Sequence, residues 1–270
     1  MSNQLVAGIP DTEYHASPAL SSSGARRLLQ VAPAQWHWER EHPLAPTDDM
    51  EFGSAVHSLT LLTGAPAVDT GHDKWNTNAI KDEIAQIRAE GGIPMRPKEF
   101  AVAQAMAKAA RAHPRLGVAL QHGEPELSGW WHDSETGVEC RVRPDALYRP
   151  HGDRGPALAL DLKTSNSADP TEFARSVVKY GYHAQHAWYV DGLAAHGIDA
   201  AFVFLVVSKV APYLTAAVEL VPAAVDLGRR RNREALAIYK RCTESGEWPG
   251  YGPDIHQIDV PAWAYKEEIQ

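Results

Sequence analysis

Residues 200–208, AAFVFLVVS, form an unbroken apolar run of eight residues followed by a serine. It is far shorter than the roughly 18–20 residues of a membrane span, and it lacks the alternation of a half-exposed strand. It therefore reads as a β-strand buried on both faces. The segment before it, TEFARSVVKYGYHAQHAWYVDGLAAHG, has helical patterning, is expected as one long helix, and stops near Gly197. Ahead of that helix lies another apolar strand, ALALDLKTS, residues 157–165. A strand, a helix and a buried strand in succession constrain the chain to an α/β fold.

The strand ALALDLKTS carries a carboxylate and an ammonium two residues apart, Asp161 and Lys163. Residues i and i+2 of a strand point to the same face, so the two side chains project side by side from the end of an apolar element. Such a pair is either an idle ion pair or half of a metal-dependent phosphodiesterase site. Upstream, RVRPDAL places Pro144-Asp145 on what reads as the neighbouring strand. Mg²⁺ and Mn²⁺ take hard oxygen ligands, often one or two carboxylates with water completing the shell. Two aspartates on adjacent strands can supply those oxygens. A lysine beside them can orient the attacking water and offset charge developing on a phosphate.

The rest of the chain divides at about residue 125. Residues 1–125 read as mainly helical, with a serine cluster, Ser21–Ser23, as the N-cap of GARRLLQ. Phe52, Val56, Leu59 and Leu62 recur at helical spacing, with Gly64 as the stop. Two amphipathic helices are expected at 76–90 and 97–113. From 126 onward ELSGWWHD and GVECRVRPDALYR read as strands, PHGDRGP as a loop, PYLTAAVEL as a sheet partner and AAVDLGRRRNREALAIYKRCTESG as a C-terminal helix. No linker separates the halves, so residues 1–270 are expected to form a single domain with a sheet core over 126–270.

Formal net charge is −8, which weighs against a chain held to nucleic acid by bulk electrostatics. Cations are nonetheless clustered at Arg26–Arg27, at Arg141 and Arg143, and at Arg229–Arg231 with Arg233. Each cluster is a candidate DNA contact or a solvated face. The two cysteines, Cys140 and Cys242, cannot supply a four-thiolate zinc or iron–sulfur site. The N-terminus shows no secretory pattern, so cytoplasmic residence is the expectation. His57 follows Gly53 by one helical turn and can be a further metal ligand, the small Gly53 allowing close approach. Gln185 and Tyr189 stand at i and i+4 on one helix face. His183 and His186 read as helix-surface residues.

The ordered set G-x-x-x-H, PD, D-x-K and Q-x-x-x-Y, with YHASPALSSSGARRLLQVAPAQW, FGSAVHSLTL, RVRPDAL, LDLKTS and YHAQHAWYVDGL, resembles the exonuclease VIII (RecE-type) branch of the PD-(D/E)xK nucleases of phages and prophages. The resemblance spans about residues 14–195. It implies a restriction-endonuclease-like core, a central mixed sheet flanked by helices, with an N-terminal helical part. It implies His57, Asp145, Asp161 and the Leu162 carbonyl as ligands of one or two Mg²⁺ or Mn²⁺ ions, and Lys163 as the catalytic lysine. Gln185 and Tyr189 would support the site, and Ser22, Ser23, Arg26, Arg27 and Arg143 would contact DNA. The implied activity is 5′→3′ digestion of double-stranded DNA ends. It would leave 3′ single strands for a RecT-type annealing partner, with a ring-shaped homo-oligomer at work in a bacterial host cell. The alternatives are an endonuclease using the same site, a non-catalytic DNA-binding module of the same fold, and an unrelated α/β enzyme.

Overall fold

The computed structural model describes residues 5–150, 155–261 and 264–265. The loop expected at PHGDRGP falls largely outside the described residues. The chain opens with helix α1 (Asp11–Ala16), a two-residue strand β1 (Leu20–Ser21) and helices α2 (Ser22–Leu28), α3 (Pro33–Glu41) and α4 (Asp48–Leu61). Strand β2 (Ala67–Asp69), helix α5 (Asn78–Ala89), strand β3 (Ile93–Met95) and helices α6 (Pro97–Arg111) and α7 (Gly117–His122) follow. Then come strands β4 (Glu124–Pro125), β5 (Gly129–His132), β6 (Glu139–Val142), β7 (Ala146–Tyr148) and β8 (Ala157–Ser165). Helices α8 (Pro170–Lys179) and α9 (Tyr182–Ala195), strands β9 (Ala200–Ser208) and β10 (Thr215–Val218) and helix α10 (Pro222–Ser245) complete the fold.

The central sheet has the order β10-β9-β8-β7-β4. Only β8 and β9 run parallel, in register from Ala157↔Ala200 to Ser165↔Ser208; the other neighbours are antiparallel. It is a mixed sheet with helices on both faces, an α/β architecture. Alternation along β8 separates its two sides. Leu160 and Leu162 enter a core built with Val56 of α4 and Met106 of α6. Ala157 and Ala159 enter another core with Phe173 of α8, Leu193 of α9 and Phe202 and Phe204 of β9. Asp161 and Lys163 share this second face by the same period of two. A third apolar cluster ties α2 and Trp36 to α9 and α10.

Several elements differ from the sequence expectation for local reasons. The segment 171–197 is two helices, because Gly181 takes the left-handed conformation at φ +67° and Tyr180 ends α8. GVECRVRPDALYR is two strands in different sheets: β6 joins β1 and β5, whereas β7 joins β8. The break falls at Arg143-Pro144-Asp145, where proline has no N–H to give a ladder. Asp161 and Lys163 lie in the middle of β8, which continues to Ser165, and not at its end. Helix α4 stops at Leu62, itself left-handed at φ 59°, two residues before Gly64. The short strands β1, β2 and β3 within the helical part were not anticipated.

Two glycines test this packing in opposite directions. A Cβ on Gly228 would lie 2.0 Å from the His183 carbonyl oxygen, so α10 crosses α9 at backbone distance. Gly228→Ala should cost roughly 1–3 kcal/mol or more, as overpacking does. A Cβ on Gly53 would meet only Thr164 Oγ1, at 3.8 Å, so close approach does not depend on that glycine. Gly53→Ala should stabilise α4 by about 0.5–1 kcal/mol. Urea unfolding of the two variants beside the parent measures both.

Candidate active site

Strand β7 pairs antiparallel with β8 through Ala146↔Leu160, so one step further Asp145 lies across from Asp161. Directly opposed residues of an antiparallel pair bring their side chains together. Because Pro144 ends the ladder there, the backbone groups of Leu162 find side chains in place of a strand partner. The Leu162 N–H donates to Asp145 Oδ2 at 2.6 Å. The Leu162 carbonyl lies 2.9 Å from His57 Nε2, and His57 Nδ1 is 3.4 Å from Asp145 Oδ2. Asp145, Leu162 and His57 thus form one contact network, although His57 comes from α4 on the far side of the chain order. Thr47 caps that helix through its hydroxyl, at 3.3 Å from Met50 N, with Asp48, Asp49 and Glu51 in its first turn.

Asp161 itself is buried and held twice. Its Oδ2 pairs with the Lys163 ammonium and its Oδ1 accepts from the Gln185 amide. Gln185 Oε1 is buried without a partner among the described residues. Tyr189 follows one turn later on α9. Burial, then the charges of Asp161, Tyr14 and Asp145, hold its hydroxyl well above the ordinary tyrosine range, so it stays a neutral phenol. Of the i, i+4 pair, Gln185 holds the aspartate and Tyr189 lines the cleft one turn on. His57, Asp145, Lys163, Gln185 and Tyr189 line a cleft of about 900 Å³, and the buried Asp161 lies behind them.

Burial also raises the Asp145 carboxyl to about 6; Asp161 pushes in the same direction, while His57, Lys163 and the Leu162 N–H oppose it. An acid left near neutrality among two other charged groups marks a place where an added cation would be welcome. Among the described residues no three His, Cys, Asp or Glu side chains could hold an ion by themselves. The donor set that fits a hard divalent cation is Asp145 and Asp161 with the Leu162 carbonyl, and the His57 imidazole beside them. Both His57 ring nitrogens now face oxygen atoms, so ligation through His57 would replace one of those contacts.

The expected DNA-contacting residues fare differently. Ser23 and Arg26 line the cleft, and Ser22 lines it with a buried hydroxyl that has no partner among the described residues. Arg27 forms a two-pronged pair with Glu39, at 2.8 and 2.6 Å. Arg143 is buried, bonded to Asp11 at 2.7 Å, Ser128 Oγ at 2.8 Å and the Ile9 carbonyl at 2.9 Å, with Tyr14 beneath it. Two of these three bonds hold the N-terminal segment, and Arg143 also lines the cleft. Arg141 donates from one guanidinium nitrogen to the Tyr14 and Ser17 carbonyls, while its Nε is buried without a partner among the described residues. Arg229, Arg231 and Arg233 pair with acids and form a solvated face. His186 is buried against Phe202, and burial lowers it to about 4, so it is no surface residue.

Sequence reasoning missed Tyr182 and Glu126, which both line the cleft. Tyr182 was findable, since 182, 185 and 189 share one helical face. Glu126, at φ 51°, had no local signal.

Two carboxylates and a lysine on adjacent strands of a mixed sheet, backed by a glutamine from the following helix, define the PD-(D/E)xK nuclease class. The chain belongs to the family described as "PDDEXK-like domain of unknown function (DUF3799)", whose model matches residues 21–259. In fold it is similar to the crystal structure of a "Putative exonuclease" from Eubacterium rectale, with TM-score 0.64 and 12% identity, covering 98% of this chain and 100% of that one. The crystal structure of SSO0001 aligns at TM-score 0.30 and 11% identity over 77% of this chain and 84% of that one, too distant to inform the fold. No curated protein matches the sequence. No helix among the described residues is long and apolar enough to cross a membrane.

The Asp145 shift has a sign that can be checked. Its carboxyl titrates at an ordinary 3.8 when unfolded and at about 6 when folded. Between those values the folded chain holds a proton that the unfolded chain has lost, so stability falls as pH rises through the window. The cost is fully present above about pH 6. Asp145→Asn keeps an acceptor for the Leu162 N–H and removes the charge. It should unfold later than the parent at neutral pH, by up to about 3 kcal/mol, with the difference gone below about pH 4. Thermal unfolding across that range measures it, and a gain independent of pH would assign the effect to packing instead.

Proposed function

We propose that this chain is a divalent-metal-dependent exodeoxyribonuclease that digests double-stranded DNA ends 5′→3′ and leaves 3′ single-stranded overhangs. The observation that carries the reading is the convergence of Asp145, Asp161, Lys163, His57 and the Leu162 carbonyl at one break in the β7–β8 ladder. Support for the exonuclease form comes from the motif resemblance and from the description of the Eubacterium rectale fold neighbour. The same reading takes Mg²⁺ or Mn²⁺ as the ion, a ring-shaped homo-oligomer as the working form and a RecT-type annealing protein as the partner in recombination.

Asp145, Asp161 and the Leu162 carbonyl, with His57, would hold the cation, which when bound supplies Lewis-acid activation of water and neutralises phosphate charge. The protein's own groups do the rest. Gln185 and the strand itself fix the Asp161 carboxylate, so little reorganisation is needed when substrate arrives. Lys163 stands beside that carboxylate and would orient the nucleophilic water, then offset negative charge building on the phosphoryl oxygens. Tyr189 contributes a neutral hydroxyl at the cleft wall. Arg26, Ser22 and Ser23 line the cleft and would contact backbone phosphates of an entering strand.

A linear duplex labelled at either end, a covalently closed circle and both divalent ions test the proposal together. Loss of the linear DNA from its 5′ ends with the circle intact is the expected outcome. Cutting of the circle would make the chain an endonuclease, and no cleavage of either would favour a binding module. Asp161→Ala should abolish metal-dependent cleavage. Lys163→Ala should lose roughly 10²-fold in rate, the size of one preorganised donor, with DNA binding retained.

A further inference from the structure

Lys163 has a second neighbour besides Asp161. Its ammonium lies 4.8 Å from the centroid of the Tyr182 ring and 5.9 Å from that of Phe204. Tyr182 is the first residue of α9, set there by the left-handed Gly181. The same three-residue break also seats Arg26. The Arg26 guanidinium donates to the Tyr180 carbonyl at 2.6 Å and lies 5.9 Å from the Tyr182 centroid. A Cβ on Gly181 would come within 3.0 Å of Arg26 Cδ. The Tyr182 ring is itself fixed, stacked on Phe173 at 5.7 Å and tilted against Phe204 at 5.5 Å.

Lysine is a point charge on a flexible stem, so one partner does not define its position. Its ion partner, Asp161, is also a candidate ligand for a cation. When that carboxylate engages another charge, its hold on Lys163 weakens. An aromatic face attracts an ammonium without competing for the cation. We infer that Tyr182 is a positioning residue whose ring face keeps Lys163 in the cleft independently of Asp161 and aligns it with Arg26, making the two cations a pair set for neighbouring phosphates. The catalytic consequence rests on the proposed nuclease function; the placement of Lys163 does not.

The test has two readouts on the full chain. In the first, limiting acetic anhydride acylates lysines, and mass spectrometry maps the rate at Lys163. In the second, cleavage and binding of a linear duplex are measured with Mn²⁺. Tyr182→Met keeps apolar bulk and removes the ring; Tyr182→Leu is the second variant should Met perturb folding. Either should acylate faster at Lys163 and cleave about 10-fold more slowly, the size of a desolvated cation–π contact, with duplex affinity changed far less. Tyr182→Phe, which restores the ring face, should recover both. Unchanged acylation and cleavage in the ring-less variants would overturn the inference. So would a Phe variant as impaired as Met, which would assign the effect to the hydroxyl. A parent chain that cleaves no DNA would sink the proposed function while leaving the acylation readout to decide this inference.

Discussion

The site depends on one hydrogen bond, from the Leu162 N–H to Asp145 Oδ2. It exists because the β7–β8 ladder stops at a proline, which leaves a buried strand with backbone groups that still need partners. Asp145 satisfies the N–H and His57 the carbonyl. A defect in the sheet therefore selects polar side chains at this point. The same requirement draws α4 against β8, since His57 must reach across to meet Leu162. Without the break, Asp145 would extend a strand and the helix would have no polar anchor in the sheet.

Around that bond the protein accepts an electrostatic cost. Asp145 and Asp161 face each other across the ladder, one raised by burial to about 6 and the other tied to Lys163 and Gln185. Such an arrangement is poor for stability by itself, since a carboxylate placed in a desolvated site next to another is disfavoured. The compensation comes from the apolar layers on the two faces of β8, which bury Leu160 and Leu162 on one side and Phe173 and Phe204 on the other. Rigid strands then hold the polar groups in place, as a binding constellation requires. Arg143 shows the opposite use of charge. Its guanidinium is enclosed by Asp11, Ser128 and the Ile9 carbonyl and holds the N-terminal segment to β6.

Much of this was legible in the linear chain. The unbroken run at 200–208, the apolar strand carrying Asp161 and Lys163, and the helical face of Gln185 and Tyr189 all follow from short-range periodicity. The helix break at Gly181 was not, because the surrounding residues favour helix and only the packing of Arg26 against that glycine shows why the chain turns there. The ion pair that Arg143 makes with Asp11 was not legible either, because an arginine beside a catalytic motif carries no mark of its partners. Two of those partners, Asp11 and Ile9, lie more than a hundred residues away along the chain. His186 and Glu126 were misplaced or missed for a similar reason: burial and cleft exposure are set by neighbours distant in sequence.

The sequence by itself determined which side chains share a face and in what order the strand and helix elements come, because those properties rest on periods of 2 and 3.6 residues. It also determined the chemical kind of the site, two carboxylates and a lysine, since residue type settles which ligands and charges are possible. The tertiary structure alone decided that Asp145 lies opposite Asp161 and that His57 faces the Leu162 carbonyl. It alone decided which partners the arginines take inside the fold. Register and long-range partnership are choices among many contacts that a linear pattern allows, and only the packed sheet and its unpaired backbone groups select one.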